Sequence, residues 1–97
     1  MLELKSFDEI ADHIRIKSIY EGLELEELGI ELEKVTNDIN LFDSSGLDLD
    51  SVDALDIIAS VQRDFGLVFP EIDQMFMEQN CSTVSLLAKT VEHFKSM

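Results

Sequence analysis

The chain has 97 residues, of which 45% are hydrophobic, and its mean hydropathy of +0.06 predicts one small folded domain spanning residues 1–97. Its net charge of −14 disfavours nucleic-acid binding, and no apolar run is long enough to cross a membrane. The single cysteine, Cys81, excludes an internal disulfide, and the first residues lack the pattern of a secretory signal. We expect a cytoplasmic protein and a monomer.

The acidic residues are concentrated in one part of the chain. Residues 21–56 hold twelve of them against one basic residue, Lys34, which leaves a local charge of −11. A negative field over one region can steer a basic partner into place. The alternative is that these charges only keep the surface soluble.

The N-terminal third contains two apolar stripes at helical spacing, which predict a first helix. We expect this helix to end near Leu28, with Gly29 as the stop. Gly22 is the other candidate stop, and inside a helix it would cost about 1 kcal/mol relative to alanine. Residues 30–46 then form a long loop, which is uncommon in compact domains and usually has a function. Five apolar residues are expected to anchor the loop: Ile30, Val35, Ile39, Leu41 and Phe42.

Two further helices are predicted in the middle of the chain. The second helix begins at Asp50 or Ser51 and ends before Gly66. Its core stripe consists of Ile57, Ile58, Val61 and Phe65. After the turn at Pro70, a short apolar pattern predicts a third helix around residues 71–79.

The last helix carries the clearest apolar stripe, with Ser82 or Thr83 as its N-cap. The stripe consists of Val84, Leu87, Val91 and Phe94. The predicted fold is therefore all-α: a small four-helix bundle with three longer helices, a short third helix, and a long loop between helices 1 and 2.

The stretch "GLDLDSVDALDII", Gly46 to Ile58, places one serine, Ser51, among aspartates at a helix start. A catalytic serine needs an adjacent base, and neither histidine of the chain forms a recognisable pair with it. There is no G-x-S-x-G motif, and the nearby carboxylates would oppose a developing oxyanion. We therefore expect no catalytic residue and no enzyme activity.

The aspartates do not follow a metal-binding pattern either. An EF-hand loop that started at Asp48 would need glycine where Asp53 stands, and one that started at Asp43 would need glutamate at Ala54. Asp53 and Asp56 could pair on one helix face for acid–base chemistry. A solvated acidic helix start, favoured by the helix dipole, is the more common arrangement. We expect no metal site.

A serine hydroxyl at a helix N-terminus remains as the candidate site. If Ser51 were esterified to a phosphate, the first backbone N–H groups of the helix and its positive dipole end would favour the new phosphodiester. The surrounding acids would then mark the site for basic partners without doing chemistry themselves.

These residues resemble an acyl carrier protein. In that family a D-S-L motif opens the second helix, and its serine carries 4′-phosphopantetheine. Here Asp50-Ser51-Val52 is followed by "DALDIIASVQRDFGLVFPE", which is similar to the family's acidic-hydrophobic second helix, its terminal Phe-Gly and its proline-containing loop. "LGIELEKVTNDINLF" upstream and "CSTVSLLAKTVEHF" downstream are similar to the family's first loop and last helix. The resemblance covers roughly residues 20–95.

The resemblance implies a non-catalytic carrier, which tethers acyl intermediates as thioesters on a 4′-phosphopantetheine arm for fatty acid, polyketide or specialised lipid biosynthesis. Ser51 would be the attachment residue, loaded from coenzyme A by a phosphopantetheinyl transferase. Acyl-loading and acyl-using enzymes with basic docking patches would be the other partners. The residues that face these partners would be Asp50, Val52, Asp53, Leu55, Asp56 and Ala59. Ile57, Val61 and Phe65 would point into the bundle, where an acyl chain can be sheltered.

Several positions depart from the family pattern. Asp48 stands where many relatives have glycine, Val52 replaces the usual leucine, and the first loop is about two residues longer near "FDSSG". We interpret residues 1–15 as an N-terminal extension. These departures predict a carrier dedicated to a particular pathway, and the acid before Ser51 argues against the peptidyl-carrier subfamily.

An alternative of a different class is an acidic helical adaptor that binds a basic partner protein without a prosthetic group. Both hypotheses expect association that weakens with salt, so salt dependence alone does not separate them.

Overall fold

Four helices make up most of the described part of the chain, residues 6–95 of a computed structural model, and no strand forms in that range. Helix α1 is α-helical over Phe7–His13 and continues as a π-helix over Ile14–Glu21. The others are α2, Ser51–Phe65; α3, Gln74–Asn80; and α4, Val84–Lys95. The predicted all-α, four-helix architecture is confirmed. Of the interpreted N-terminal extension, residues 1–5 lie outside the described residues.

Helix α1 begins within that interpreted extension. The Ser6 side chain caps it by accepting a hydrogen bond of 3.1 Å from the backbone N–H of Glu9. Ile10, Ala11 and Ile14 are buried in the hydrophobic core. These residues therefore help to form the domain core.

The predicted end of the first helix, Leu28, is wrong. The helix ends at Glu21 with Gly22 as its C-cap, which agrees with the alternative stop, and Glu24 then adopts a left-handed backbone conformation (φ 54°) that turns the chain. A separate 3-10 helix follows over Leu25–Leu28 and buries its first leucine, while its last is 70% exposed. Gly22, the other candidate stop, packs so closely that a Cβ would lie 2.5 Å from the carbonyl oxygen one turn earlier. Leu25 and Leu28 therefore belong to a short turn, which inserts Leu25 into the core.

The predicted boundaries of the other helices agree more closely with the structure. Helix α2 ends at Phe65 and is capped by Gly66, which adopts the left-handed conformation (φ 68°) typical of a helix C-terminus. Helix α3 starts at Gln74, slightly later than predicted, because the Asp73 side chain accepts a hydrogen bond of 2.8 Å from the N–H of Phe76. For α4, Thr83 is the cap, since its hydroxyl accepts from the N–H of Leu86 at 3.1 Å.

The hydrophobic core is built from all three longer helices and the first loop. Each of the predicted stripe residues of α2 is at most 1% exposed. On α4, Val84, Leu87 and Val91 are fully buried, and Phe94 is partly buried against the core. Of the predicted loop anchors, Val35 and Leu41 are fully buried, and the other three pack against the core as partly buried residues.

A side-chain hydrogen bond joins α1 to the C-terminal end of α2. His13 Nε2 lies 2.9 Å from Asp64 Oδ2, and its ring meets that of Phe65 edge-on with centroids 5.2 Å apart. Partial burial raises the pKa of Asp64, but hydrogen bonds from His13 and Arg63 outweigh this and leave the pKa below its ordinary value. His13 is thus engaged at the end of α2 that lies farthest from Ser51.

The first loop is held by backbone hydrogen bonds to both α2 and α4. The N–H of Leu41 donates to the Ser82 carbonyl just before α4 (2.8 Å), and its carbonyl accepts from the N–H of Leu49 just before α2 (2.9 Å). The N–H of Leu47 donates to the Asn40 carbonyl at 3.1 Å, which brings Gly46 against Asn40. A Cβ on Gly46 would lie 1.8 Å from the Asn40 oxygen. This close approach requires glycine.

We expect Gly46→Ala to lower the free energy of unfolding by about 2 kcal/mol or more, because the added methyl group forces the loop off the Asn40 carbonyl. Urea denaturation followed by circular dichroism measures the change. Ser45→Ala, at the exposed neighbouring position, is the control and should stay within about 0.5 kcal/mol of the parent. Equal stability of the two variants would contradict the close packing at Gly46.

Candidate functional site

The start of α2 is fixed by a reciprocal capping interaction between two aspartates. Asp50 is the N-cap, and its Oδ1 accepts a hydrogen bond of 2.9 Å from the N–H of Asp53. In return, Asp53 Oδ2 accepts from the N–H of Asp50 at 3.2 Å. This capping box satisfies two backbone donors that a helix start otherwise leaves without partners. Asp50 is therefore the cap, and Ser51 is the first residue of the helix.

Ser51 is exposed, and within residues 6–95 its hydroxyl makes no hydrogen bond. The backbone N–H groups of Ser51 and Val52 also have no acceptor within this range, whereas those of Asp53 and Ala54 are satisfied by Asp50. The site thus combines a free hydroxyl with two free N–H donors at the positive end of a helix dipole.

Ser51 lines an open cleft of about 790 Å³ between the start of α2, the first loop and α3. Its apolar walls are Phe42, Leu49, Ala54, Ile72 and Met77. Ile57, Val61 and Phe65 point into the bundle, as expected, where they are packed in the core, and they do not line this cleft. The spacing of α2 indicated its buried stripe, whereas the residues of the cleft come from three separate segments that no local pattern connects.

The predicted partner-facing residues fall into two groups. Val52 (63% exposed), Leu55 (53% exposed), Asp56 and Ala59 lie together on the exposed face of α2. Asp53 is half-buried because its carboxylate closes the capping box. Asp50, also in that box, is exposed and lines the cleft. The first group is free to meet a partner, while the two box residues have a structural role as well.

Asp48, whose role the sequence left unexplained, adopts a left-handed conformation (φ 53°) just before the site. Its N–H donates to the Asp43 carbonyl at 3.1 Å and closes the turn. Glycine adopts this conformation without strain, and aspartate tolerates it better than most residues do. The left-handed backbone therefore explains why aspartate can stand at position 48, where many relatives have glycine.

The described residues do not support a metal site or a reactive thiol. No group of three or more His, Cys, Asp or Glu side chains within residues 6–95 is placed to hold a metal ion. Cys81 is buried, and its burial raises the pKa of the thiol to about 12. A thiol with such a pKa is a poor nucleophile at neutral pH.

A helical bundle whose second helix opens with a free serine hydroxyl beside an open cleft has the architecture of a carrier domain of the acyl-carrier type. A protein-family model described as "Phosphopantetheine attachment site" matches residues 25–91. No curated protein and no solved structure matches the chain. Because the family match covers more than half of the chain, the protein belongs to the phosphopantetheine-attachment family.

Carrier domains of this family bind 4′-phosphopantetheine covalently and are not enzymes, so the protein is a non-catalytic carrier. The start of α2 fits such a group, because it offers a hydroxyl, two unsatisfied N–H donors and an adjoining cleft. A carrier of this kind interacts with transferases and with biosynthetic enzymes. Within residues 6–95, none of the helices has the length and apolar character that crossing a bilayer requires.

Substitutions at Asp48 test the left-handed turn before α2. We expect Asp48→Ala to be less stable than Asp48→Gly by about 1 kcal/mol, because the Cβ of alanine is sterically strained in the left-handed conformation and glycine has no Cβ. Asp48→Asn removes the charge but still tolerates the left-handed conformation, so it serves as the control for electrostatic effects. Urea denaturation of the three variants measures the difference; an alanine variant as stable as the glycine variant would refute the turn geometry.

Proposed function

We propose that Ser51 is the attachment residue for 4′-phosphopantetheine, transferred from coenzyme A by a phosphopantetheinyl transferase. The observation that carries the proposal is the free Ser51 hydroxyl, which stands in the Asp50-Ser51-Val52 motif at the capped start of α2. In the transfer, the Ser51 oxygen forms a bond to phosphorus and the pyrophosphate bond of coenzyme A breaks. Adenosine 3′,5′-diphosphate leaves, and the hydroxyl proton passes to a base of the transferase or to water.

The chain's own contribution to this transfer is electrostatic and geometric. The free N–H groups of Ser51 and Val52 favour the negative phosphodiester, which offsets its repulsion by the neighbouring carboxylates. The capping box holds the backbone of Ser51 at the helix start, so that its side chain stays exposed. The bound arm supplies the thiol for thioester formation, since the Cys81 thiol is buried.

We propose further that the loaded protein tethers acyl intermediates as thioesters for fatty acid, polyketide or specialised lipid biosynthesis in the cytoplasm, and that it works as a monomer. Tethering raises the effective concentration of an intermediate at each enzyme that the carrier visits. The exposed face of α2, with Asp56 beside Val52, Leu55 and Ala59, would meet basic docking patches on those enzymes. Asp50 and Asp53 would flank that face.

Incubation with coenzyme A, magnesium and a broad-specificity transferase, followed by intact-mass analysis, tests the attachment. We expect the parent protein to gain the mass of one phosphopantetheine group and Ser51→Ala to gain nothing. Ser45→Ala is the matched control, since it removes an exposed serine of the neighbouring loop, and it should load like the parent. If the parent protein gains no mass with a transferase of demonstrated activity, the proposal is refuted and the adaptor hypothesis is favoured.

Charge reversal on the exposed face of α2 tests the partner surface. We expect Asp56→Lys to slow loading by the transferase about tenfold at low ionic strength, because it replaces an attraction to a basic patch with a repulsion. Glu92→Lys makes the same charge change on the exposed side of α4 and should alter the rate less than about twofold. Asp53 is unsuitable for this test because its replacement also breaks the capping box. Similar effects of both reversals would show that only net charge matters.

A further inference from the structure

The segment that leads into the start of α2 is closed on itself by hydrogen bonds. Almost every backbone N–H group from residue 42 to residue 49 donates to an acceptor within residues 40–49. Most of these acceptors belong to two residues, Asn40 and Asp43. A compact loop that is tied by its own groups in this way holds one conformation although much of it is exposed.

Asn40 acts on this segment through its side chain. Its Oδ1 accepts hydrogen bonds from the N–H groups of Phe42 and Asp43, each at 2.9 Å. Asp43 acts mainly through its backbone carbonyl, which accepts from the N–H groups of Gly46 and Asp48. A substitution at Asn40 therefore removes two short hydrogen bonds, whereas a substitution at Asp43 leaves its backbone acceptor in place.

Phe42 is the residue that the Asn40 side chain holds at the cleft. It lines the cleft together with Ser51 and is partly buried against the core. Because Asn40 Oδ1 binds the N–H of Phe42 and also that of the next residue, it fixes the backbone on both sides of the Phe42 Cα. The direction of the Phe42 side chain depends on that backbone.

The chemistry of the phosphopantetheine arm indicates which part of it meets this wall. From its phosphate the arm continues through one methylene to a carbon that carries two methyl groups, and the amides and the thiol come later. This geminal dimethyl group is apolar and lies a few bonds from the phosphorus, so it reaches only surfaces close to Ser51. Apolar groups leave water for such a surface, and Phe42 offers one in the same cleft.

We propose that Asn40 is a positioning residue for the arm: its side-chain oxygen holds Phe42 in the cleft wall, where Phe42 contacts the geminal dimethyl group. The inference rests on the proposed attachment at Ser51. It goes beyond that proposal by naming the residue that receives the arm and the residue that places it.

NMR spectroscopy of the loaded protein tests the contact. The parent protein is loaded from coenzyme A whose two geminal methyl groups are labelled with ¹³C, and intact mass confirms the loading. We expect the methyl proton signals to lie upfield of those in free phosphopantetheine, because an aromatic ring shields protons above its face, and to show nuclear Overhauser effects to the Phe42 ring. Phe42→Leu keeps an apolar side chain and removes the ring, so the upfield shift should disappear.

Variants at Asn40 test the positioning role. Asn40→Ala removes both hydrogen bonds, so amide hydrogen exchange at Phe42 and Asp43 should rise about tenfold and the Overhauser effects to the ring should be lost. Asn40→Asp keeps the Oδ1 acceptor and should behave like the parent. Asn40→Gln moves the acceptor by one methylene, should behave like Asn40→Ala, and replaces it if that variant is unstable. Ser44→Ala, at an exposed position of the same segment, is the matched control and should keep the contact.

Three results would each overturn this inference while attachment at Ser51 stands. They are unshifted methyl signals in the loaded parent, Overhauser effects to Phe42 that persist in Asn40→Ala or Asn40→Gln, and an Asn40→Asp variant that loses them. If the parent protein takes up no arm, the proposed function is overturned and this inference with it.

Discussion

The backbone of Leu41 is the point on which the arrangement of the site depends. Its N–H donates to the carbonyl of Ser82, its carbonyl accepts from the N–H of Leu49, and its side chain is fully buried in the core. Ser82 and Leu49 each lie one residue before the N-cap of a helix, α4 and α2 respectively. These contacts place the starts of α2 and α4 on either side of the first loop. They hold the first loop in place, so that it forms one wall of the cleft at Ser51.

The aspartates of the "GLDLDSVDALDII" stretch divide into distinct roles once the backbone is known. Asp50 and Asp53 satisfy each other's backbone donors, and Asp48 closes a left-handed turn. Only Asp56 is exposed on α2 without such a structural task. The high local charge of this region is therefore partly a consequence of building a tight helix start, and partly a surface available to partners.

Two sides of the first turns of α2 are used differently. Asp50, Ser51 and Ala54 line the cleft, whereas Val52 and Leu55 are exposed on another side of the helix. This separation follows from helical geometry, since residues three or four apart share a side. Under the attachment proposed at Ser51, the bound arm would lie beside the cleft, and the side of α2 with Val52 and Leu55 would stay open to a partner enzyme.

The sequence by itself determined the helical class, the buried stripes of α2 and α4, and the place of Ser51 as a hydroxyl at the start of α2. Each of these depends on contacts within a few residues, which periodicity and capping chemistry encode directly. Tertiary structure decided between the two stops that the sequence offered: the first helix ends at Glu21 with Gly22 as its C-cap, and the leucines that follow form a turn packed on the core. It also decided the cleft, since Phe42, Ala54 and Met77 meet only when loop and helices pack together.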